Sequence, residues 1–183
     1  MTPCRSRLSL FLLLAAASAP LAAQQAPAAP ADAGRARLIA AARQIMAAQP
    51  YCAFITVDEA GRPQVRTVNP FPPEDDMAVW FATGSQTRKA AEIRANPRVA
   101  LYYADHKNGT GYVQLAGRAL LVSDRAEIER HRRAYWAQSF PGDRNLVLVK
   151  VVPERLDVLN YAAGVRADSV TWRTPSLELT PRQ

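Results

Sequence analysis

The chain has 183 residues, with 23 Lys+Arg against 16 Asp+Glu and a formal net charge of +7. Apolar residues make up 49% and charged residues 21%, which permits a packed core and excludes wholesale disorder. Two cysteines cannot build a disulfide framework, and the two histidines, His106 and His131, lack metal-ligand spacing, so no metal site is expected.

Arg5 and Arg7 precede an apolar run from Leu8 to Ala17, and small residues lead through Leu21-Ala22-Ala23 to Gln24. That is the layout of a secretory signal peptide over residues 1–23. The run falls short of the ~20 residues a membrane span needs, so no stable membrane anchor is expected after cleavage. The expected location is periplasmic or secreted. Residues 24–34, QQAPAAPADAG, read as an Ala/Pro-rich linker, which leaves residues 35–183 as one domain. Cleavage removes Cys4 and leaves Cys52, which lies in an apolar strand and reads as a buried core thiol.

Ala33 to Ala48 carries Leu38, Ile39, Ala42, Ile45 and Met46 at helical spacing, and Pro50 ends it. Tyr51–Val57 and Pro63–Asn69 alternate as strands about an Asp58–Gly61 turn, a hairpin. After a proline-rich loop, Met77–Thr83 is a third strand. A helix from about Gln86 to Ala95 follows, stopped by Asn96-Pro97. Arg98–Asp105 is a fourth strand, and His106–Gly111 a turn that leaves His106 exposed. Tyr112–Val122 is a fifth strand, bent or bulged at Gly117. Asp124 caps a helix to about Ala137, with Ile128 and Tyr135 on its apolar face. Leu146–Pro153 and Arg155–Tyr161 are read as two further strands, and Ser169–Arg173 as another candidate. The fold class expected is mainly β (α+β): a six-stranded antiparallel split β-barrel with peripheral helices.

One segment stands out chemically. Ser85 or Thr87 would cap the helix that starts near Gln86, which puts Arg88 and Lys89 in its first turn. Cations there oppose the helix dipole by about 0.3–1 kcal/mol each. They make sense where an anion sits among the free N–H groups, the hydroxyl and the two cations. Arg98 could add to the same field. The plain alternative is a solvated basic surface.

The run TGSQTRKAAEIRANPRVALYYAD, continued by KNGTGYVQLAGRALLVSDRAEIE and FPGDRNLVLVKVVPERLDVLNY, resembles the pyridoxamine 5'-phosphate oxidase-like flavoproteins, in particular the subgroup similar to general stress protein 26. The resemblance covers roughly residues 35–161. It implies a split barrel, a homodimer, and FMN in clefts at the subunit interface. Arg66, Thr67, Val68 and Asn69 match the strand that reaches the FMN phosphate and flanks its ring. Thr83 matches a threonine after the third strand, Arg88 and Lys89 match the phosphate-binding pair, and Thr87 precedes them.

There are departures. Phe71 stands where the oxidases have a substrate-contacting lysine, and Tyr112 replaces a flavin-contacting glutamine. No match to the residues that hold the substrate phosphate is found around Tyr135–Ser139. The resemblance therefore implies an FMN-dependent oxidoreductase with an unidentified small-molecule substrate, rather than a pyridoxamine-phosphate oxidase, and the leader implies that it is exported. Tyr112 could stack on the flavin or pack the barrel rim, and Trp172 could cover the cofactor or pack at a dimer interface. The alternative function is a non-catalytic module for flavin or another planar anionic cofactor such as haem. Nucleic-acid binding is not expected, because export argues against it and the positive charge has a local use.

Overall fold

The computed structural model describes residues 30–179. The signal peptide expected over residues 1–23 and most of the expected linker lie outside the described residues. Helix α1 (Pro30–Ala48) starts earlier than its apolar spacing suggests, so Pro30 to Gly34 are helical rather than linker. Proline suits a first helical position, where its missing N–H would have no partner. Arg35 donates to the Glu178 carbonyl and Arg37 to that of Gly164, tying the helix to the chain's far end.

Strands β1 (Cys52–Val57) and β2 (Pro63–Val68) form the expected hairpin, with Phe54 opposite Arg66 and Cys52 opposite Val68. Asp58 organises the turn, accepting from the Ala60 and Arg62 N–H groups and from the Arg62 guanidinium. Then come β3 (Val79–Gly84), α2 (Arg88–Ala95), β4 (Arg98–Ala104) and β5 (Gly111–Val122). The remaining elements are α3 (Arg125–Arg130), α4 (Trp136–Ser139), β6 (Leu146–Asn160) and β7 (Ser176–Glu178).

All ladders are antiparallel. The sheet runs β2-β1-β4-β5-β6-β3, with β7 added on β6, so it has seven strands rather than six. It is the split-barrel sheet, not closed by a β2–β3 ladder. Phe54, Phe81, Leu101, Leu115, Val149 and Leu156 point inward, and α1 supplies Ala42, Ile45 and Met46 to the same core. Cys52 is buried among them, and burial pushes its thiol up to about 12, so it is not a reactive nucleophile. Among the described residues no helix is long and apolar enough to cross a membrane.

Three expectations need correction. The two strands expected from 146 to 161 are one, β6, because its register slips opposite Gly117: Ala116 faces Arg155 and Gly117 faces Pro153, leaving Glu154 unopposed. A bulge tolerates a proline inside a strand, since no ladder hydrogen bond is needed there. The helix expected from Asp124 to Ala137 stops at Arg130, and Tyr135 is exposed while Trp136 is fully buried. Arg133 explains the break: its guanidinium donates to the Asn69 and Pro70 carbonyls and sits 3.9 Å above the Phe71 ring. Ser169–Arg173 is a turn, not a strand, because Asp168 accepts from the Val170 and Thr171 N–H groups. His106 is exposed, as expected.

Gly117 has no room for a side chain. A Cβ there would lie 2.1 Å from the Val152 carbonyl oxygen and 2.7 Å from the Pro153 Cα. Gly117→Ala should therefore cost about 1–3 kcal/mol. Thermal unfolding should register a drop of several degrees; an unchanged midpoint would contradict the close approach of β5 and β6 at the bulge.

Candidate functional site

The site is built where α2 meets β1 and β2. Thr87 caps the helix: its hydroxyl donates to the Gly84 carbonyl at 2.8 Å and accepts from the Ala90 N–H. The first turn holds no acidic residue, only Arg88 and Lys89. Of the two cap residues considered, Thr87 serves and Ser85 does not; the Ser85 carbonyl accepts instead from Arg94.

Lys89 is half-buried, and its ammonium donates to the Thr83 hydroxyl at 3.1 Å. Thr83, itself buried at the end of β3, has its hydroxyl 3.4 Å from that of Thr87. Burial lowers the Lys89 pKa, and the Arg66 charge lowers it further against an opposing pull from Glu92. Two cations crowded in a partly desolvated place are held at a cost that a bound anion would relieve.

Arg66 reaches the same region from β2. It forms an ion pair with Glu92 of α2 at 2.7 Å, donates to the Thr56 hydroxyl, and reaches the Gln64 carbonyl at 3.3 Å. Glu92 is 5% exposed, and Thr56 donates to its Oε2. Arg88, largely exposed, pairs with the other carboxylate oxygen at 3.2 Å. Burial alone would raise the Glu92 pKa. The hydrogen bonds from Thr56 and Arg66 and the charges of Arg66 and Arg88 outweigh it and hold the carboxyl below its ordinary range. Three cations thus surround one carboxylate, and the cluster keeps a surplus of two positive charges.

Arg66, Thr83, Thr87, Arg88 and Lys89 are therefore brought together. The other expected residues are not. Directly paired residues share a face and neighbours alternate, so Arg66, opposite inward-pointing Phe54, lies on the inner side of the sheet. Thr67 lies on the outer side and is exposed, while Val68 is buried in the core. Asn69 donates to the Pro50 carbonyl at the far end of the hairpin.

Tyr112 is also on the outer face. Its ring lies 5.4 Å from Tyr102 and its hydroxyl 2.6 Å from that of Thr174, so within one chain it packs the rim. Trp172 is 78% exposed and touches none of the basic cluster's residues through a hydrogen bond. Arg98 lies past the opposite end of α2, away from the capped first turn. Glu92 and Thr56 escaped notice in the sequence. The Arg88–Glu92 spacing of four was the available signal. Among the described residues no three His, Cys, Asp or Glu side chains gather as a metal site.

A guanidinium, an ammonium, hydroxyls and a helix N-terminus are thus gathered, a donor set whose chemistry suits an anion. The cluster stands at the start of α2 on the antiparallel split-barrel sheet. The model of the family described as pyridoxamine 5'-phosphate oxidase matches residues 38–160, more than half of the chain. The chain belongs to that family. It is 31% identical over 110 residues to General stress protein 26 of Bacillus subtilis (strain 168), covering 56% of this chain and 74% of that protein.

Solved structures agree in fold. General Stress Protein 26 from Bacillus anthracis str. Sterne superposes with a TM-score of 0.59 at 22% identity, covering 67% of this chain and 94% of that one. A heme binding protein from Mycobacterium smegmatis gives 0.58 at 16% identity, covering 77% of this chain and 57% of that one.

Proposed function

We propose that the protein binds a flavin through its phosphate, FMN in the simplest case, and acts as an oxidoreductase on a small molecule. The observation that carries this reading is the crowding of Lys89, held on Thr83, with Arg66, held on Glu92, at a helix N-terminus capped by Thr87. A surplus of two positive charges matches a dianionic phosphate monoester. Arg88 and Lys89 would hold the phosphate from the helix and Arg66 from the strand, while Glu92 and Thr56 keep the Arg66 guanidinium in place. Bound there, a flavin supplies hydride or electron acceptance, and the protein supplies position and electrostatics.

The likeness to a heme binding protein raises a second ligand. Less supports it: His131 is buried, with its Nδ1 2.9 Å from the Glu127 carbonyl and its ring against Phe71 and Trp80. His106 sits in an exposed turn. Neither adjoins the basic cluster. The proposal also includes a homodimer, whose second copy would complete the flavin cleft, and export directed by residues 1–23.

Titrating FMN into the purified chain and then adding a nicotinamide donor without oxygen tests the reading. Saturable binding with fast bleaching of the flavin supports an oxidoreductase. Binding without accelerated reduction by any donor would leave a carrier module, and no binding would remove the reading altogether.

A further inference from the structure

Away from the basic cluster, the loop between β6 and β7 carries the two most exposed large apolar side chains of the described residues, Val170 at 83% and Trp172 at 78%. Such side chains are ordinarily buried, so two at one loop tip are informative. The loop is built to hold them out. Asp168 Oδ1 accepts from the Val170 and Thr171 N–H groups and from the Thr171 hydroxyl, and the Trp172 N–H donates to the Asp168 carbonyl. The Thr174 hydroxyl meets that of Tyr112 on β5, and the Val158 N–H of β6 donates to the Pro175 carbonyl. Trp172 is thereby fixed at φ +56°, a left-handed backbone uncommon for so large a residue and sustained only where its surroundings impose it.

Beside the tip lies an open hollow of about 530 Å³, bordered by Arg166, Arg173, Thr174 and Ser176. Both arginines are exposed, and among the described residues neither guanidinium pairs with a carboxylate. Asp168 borders the hollow too, but its Oδ1 is committed to the turn and the two cations outnumber it. Guanidinium forks with neighbouring hydroxyls suit a phosphate group. The apolar tip protrudes, and two side chains fall far short of the ~800 Å² per partner of a stable protein interface. A soft apolar medium accepts such a tip, and an indole favours the headgroup level of a bilayer.

We propose that this loop docks the protein reversibly on a bilayer containing anionic phospholipid, with Val170 and Trp172 in the interface and a lipid phosphate in the hollow of Arg166 and Arg173. Such a contact needs no membrane-spanning helix.

Trp80 and Trp136 are buried, so of the three tryptophans Trp172 is the one that bromine-labelled acyl chains can quench. Brominated phosphatidylcholine vesicles containing phosphatidylglycerol should quench the fluorescence of the full chain saturably. Trp172→Asn, which tolerates the left-handed backbone, should weaken co-sedimentation with these vesicles by at least ~10-fold. Arg166→Gln and Arg173→Gln should each cost about fivefold on them and leave binding to phosphatidylcholine alone unchanged. Every form carries the same residues 1–29, so any contribution from that segment cancels. Co-sedimentation that neither the tryptophan nor the arginine variants lower, or fluorescence that the bromines leave untouched, would overturn the proposal. So would a Trp172→Asn chain that splits a dimer while keeping its vesicle affinity, which would make the loop an interface between copies.

Discussion

Replacing Arg66 and Lys89 together by alanine should weaken FMN binding by about 100-fold or more and leave riboflavin binding nearly unchanged. Each charge-assisted hydrogen bond to the phosphate contributes about 1.5–3 kcal/mol, and about 1.4 kcal/mol is a factor of ten. Riboflavin has no phosphate to lose contacts with, so the ratio of the two affinities isolates the anion site from the ring. Lys89→Ala alone is the cleaner probe. Among the described residues its ammonium hydrogen-bonds the Thr83 hydroxyl alone, whereas removing Arg66 also strips Glu92 of its closest cation. The single lysine variant should still lose about tenfold for FMN. Equal losses for the two flavins would mean that the cluster acts on the fold and not on a phosphate.

Glu92→Ala should be the most destabilising change at the site, costing about 3 kcal/mol at neutral pH. Removing one partner of a buried ion pair typically costs about 3–5 kcal/mol, and the lower end applies because the Arg66 side chain is 17% exposed. The pH dependence has a definite sign. Hydrogen bonds from Thr56 and Arg66, with the charges of Arg66 and Arg88, outweigh burial and hold the folded-state pKa of Glu92 below its unfolded value.

Its contribution is therefore fully present above the ordinary carboxylate range, about pH 4.3, and lost as pH falls through the depressed value. Urea unfolding of the wild-type chain and of Glu92→Gln should differ clearly at pH 7 and converge in strong acid. A gap that persists or widens in acid would show that Glu92 acts through packing and not through its charge.

These residues also mark what was legible in the sequence. The cap at Thr87 and the cations after it could be read locally, because a helix start depends on a few adjacent residues. The hairpin and the bend at Gly117 were local as well. Which side of the sheet each residue faces was not. Thr67 and Tyr112 lie opposite to Arg66 because of the pairing of β2, β1, β4 and β5, and register is a property of several strands at once.

The break after Arg130 depends likewise on Arg133 finding the Asn69 and Pro70 carbonyls more than sixty residues away in sequence. Glu92 was read only as part of the helix from about Gln86 to Ala95. Its role appears when α2 docks on β1 and brings the carboxylate to Thr56 and Arg66.

The basic cluster and the outer aromatic face are thus on opposite sides of one chain's sheet. A flavin held at Arg66 and Lys89 would take its ring contacts from β2 backbone and from a second copy, which gives the proposed homodimer a specific purpose. The particular small molecule reduced or oxidised there would be chosen by that composite cleft.

The most direct test is to identify the small molecule that travels with the protein purified without added cofactor, by absorption spectrum and chromatography after denaturation. The account predicts a flavin carrying a phosphate, bound near one per chain and lost when Arg66 and Lys89 are both replaced by alanine. A haem spectrum, or a colourless protein that also ignores added FMN, would contradict it.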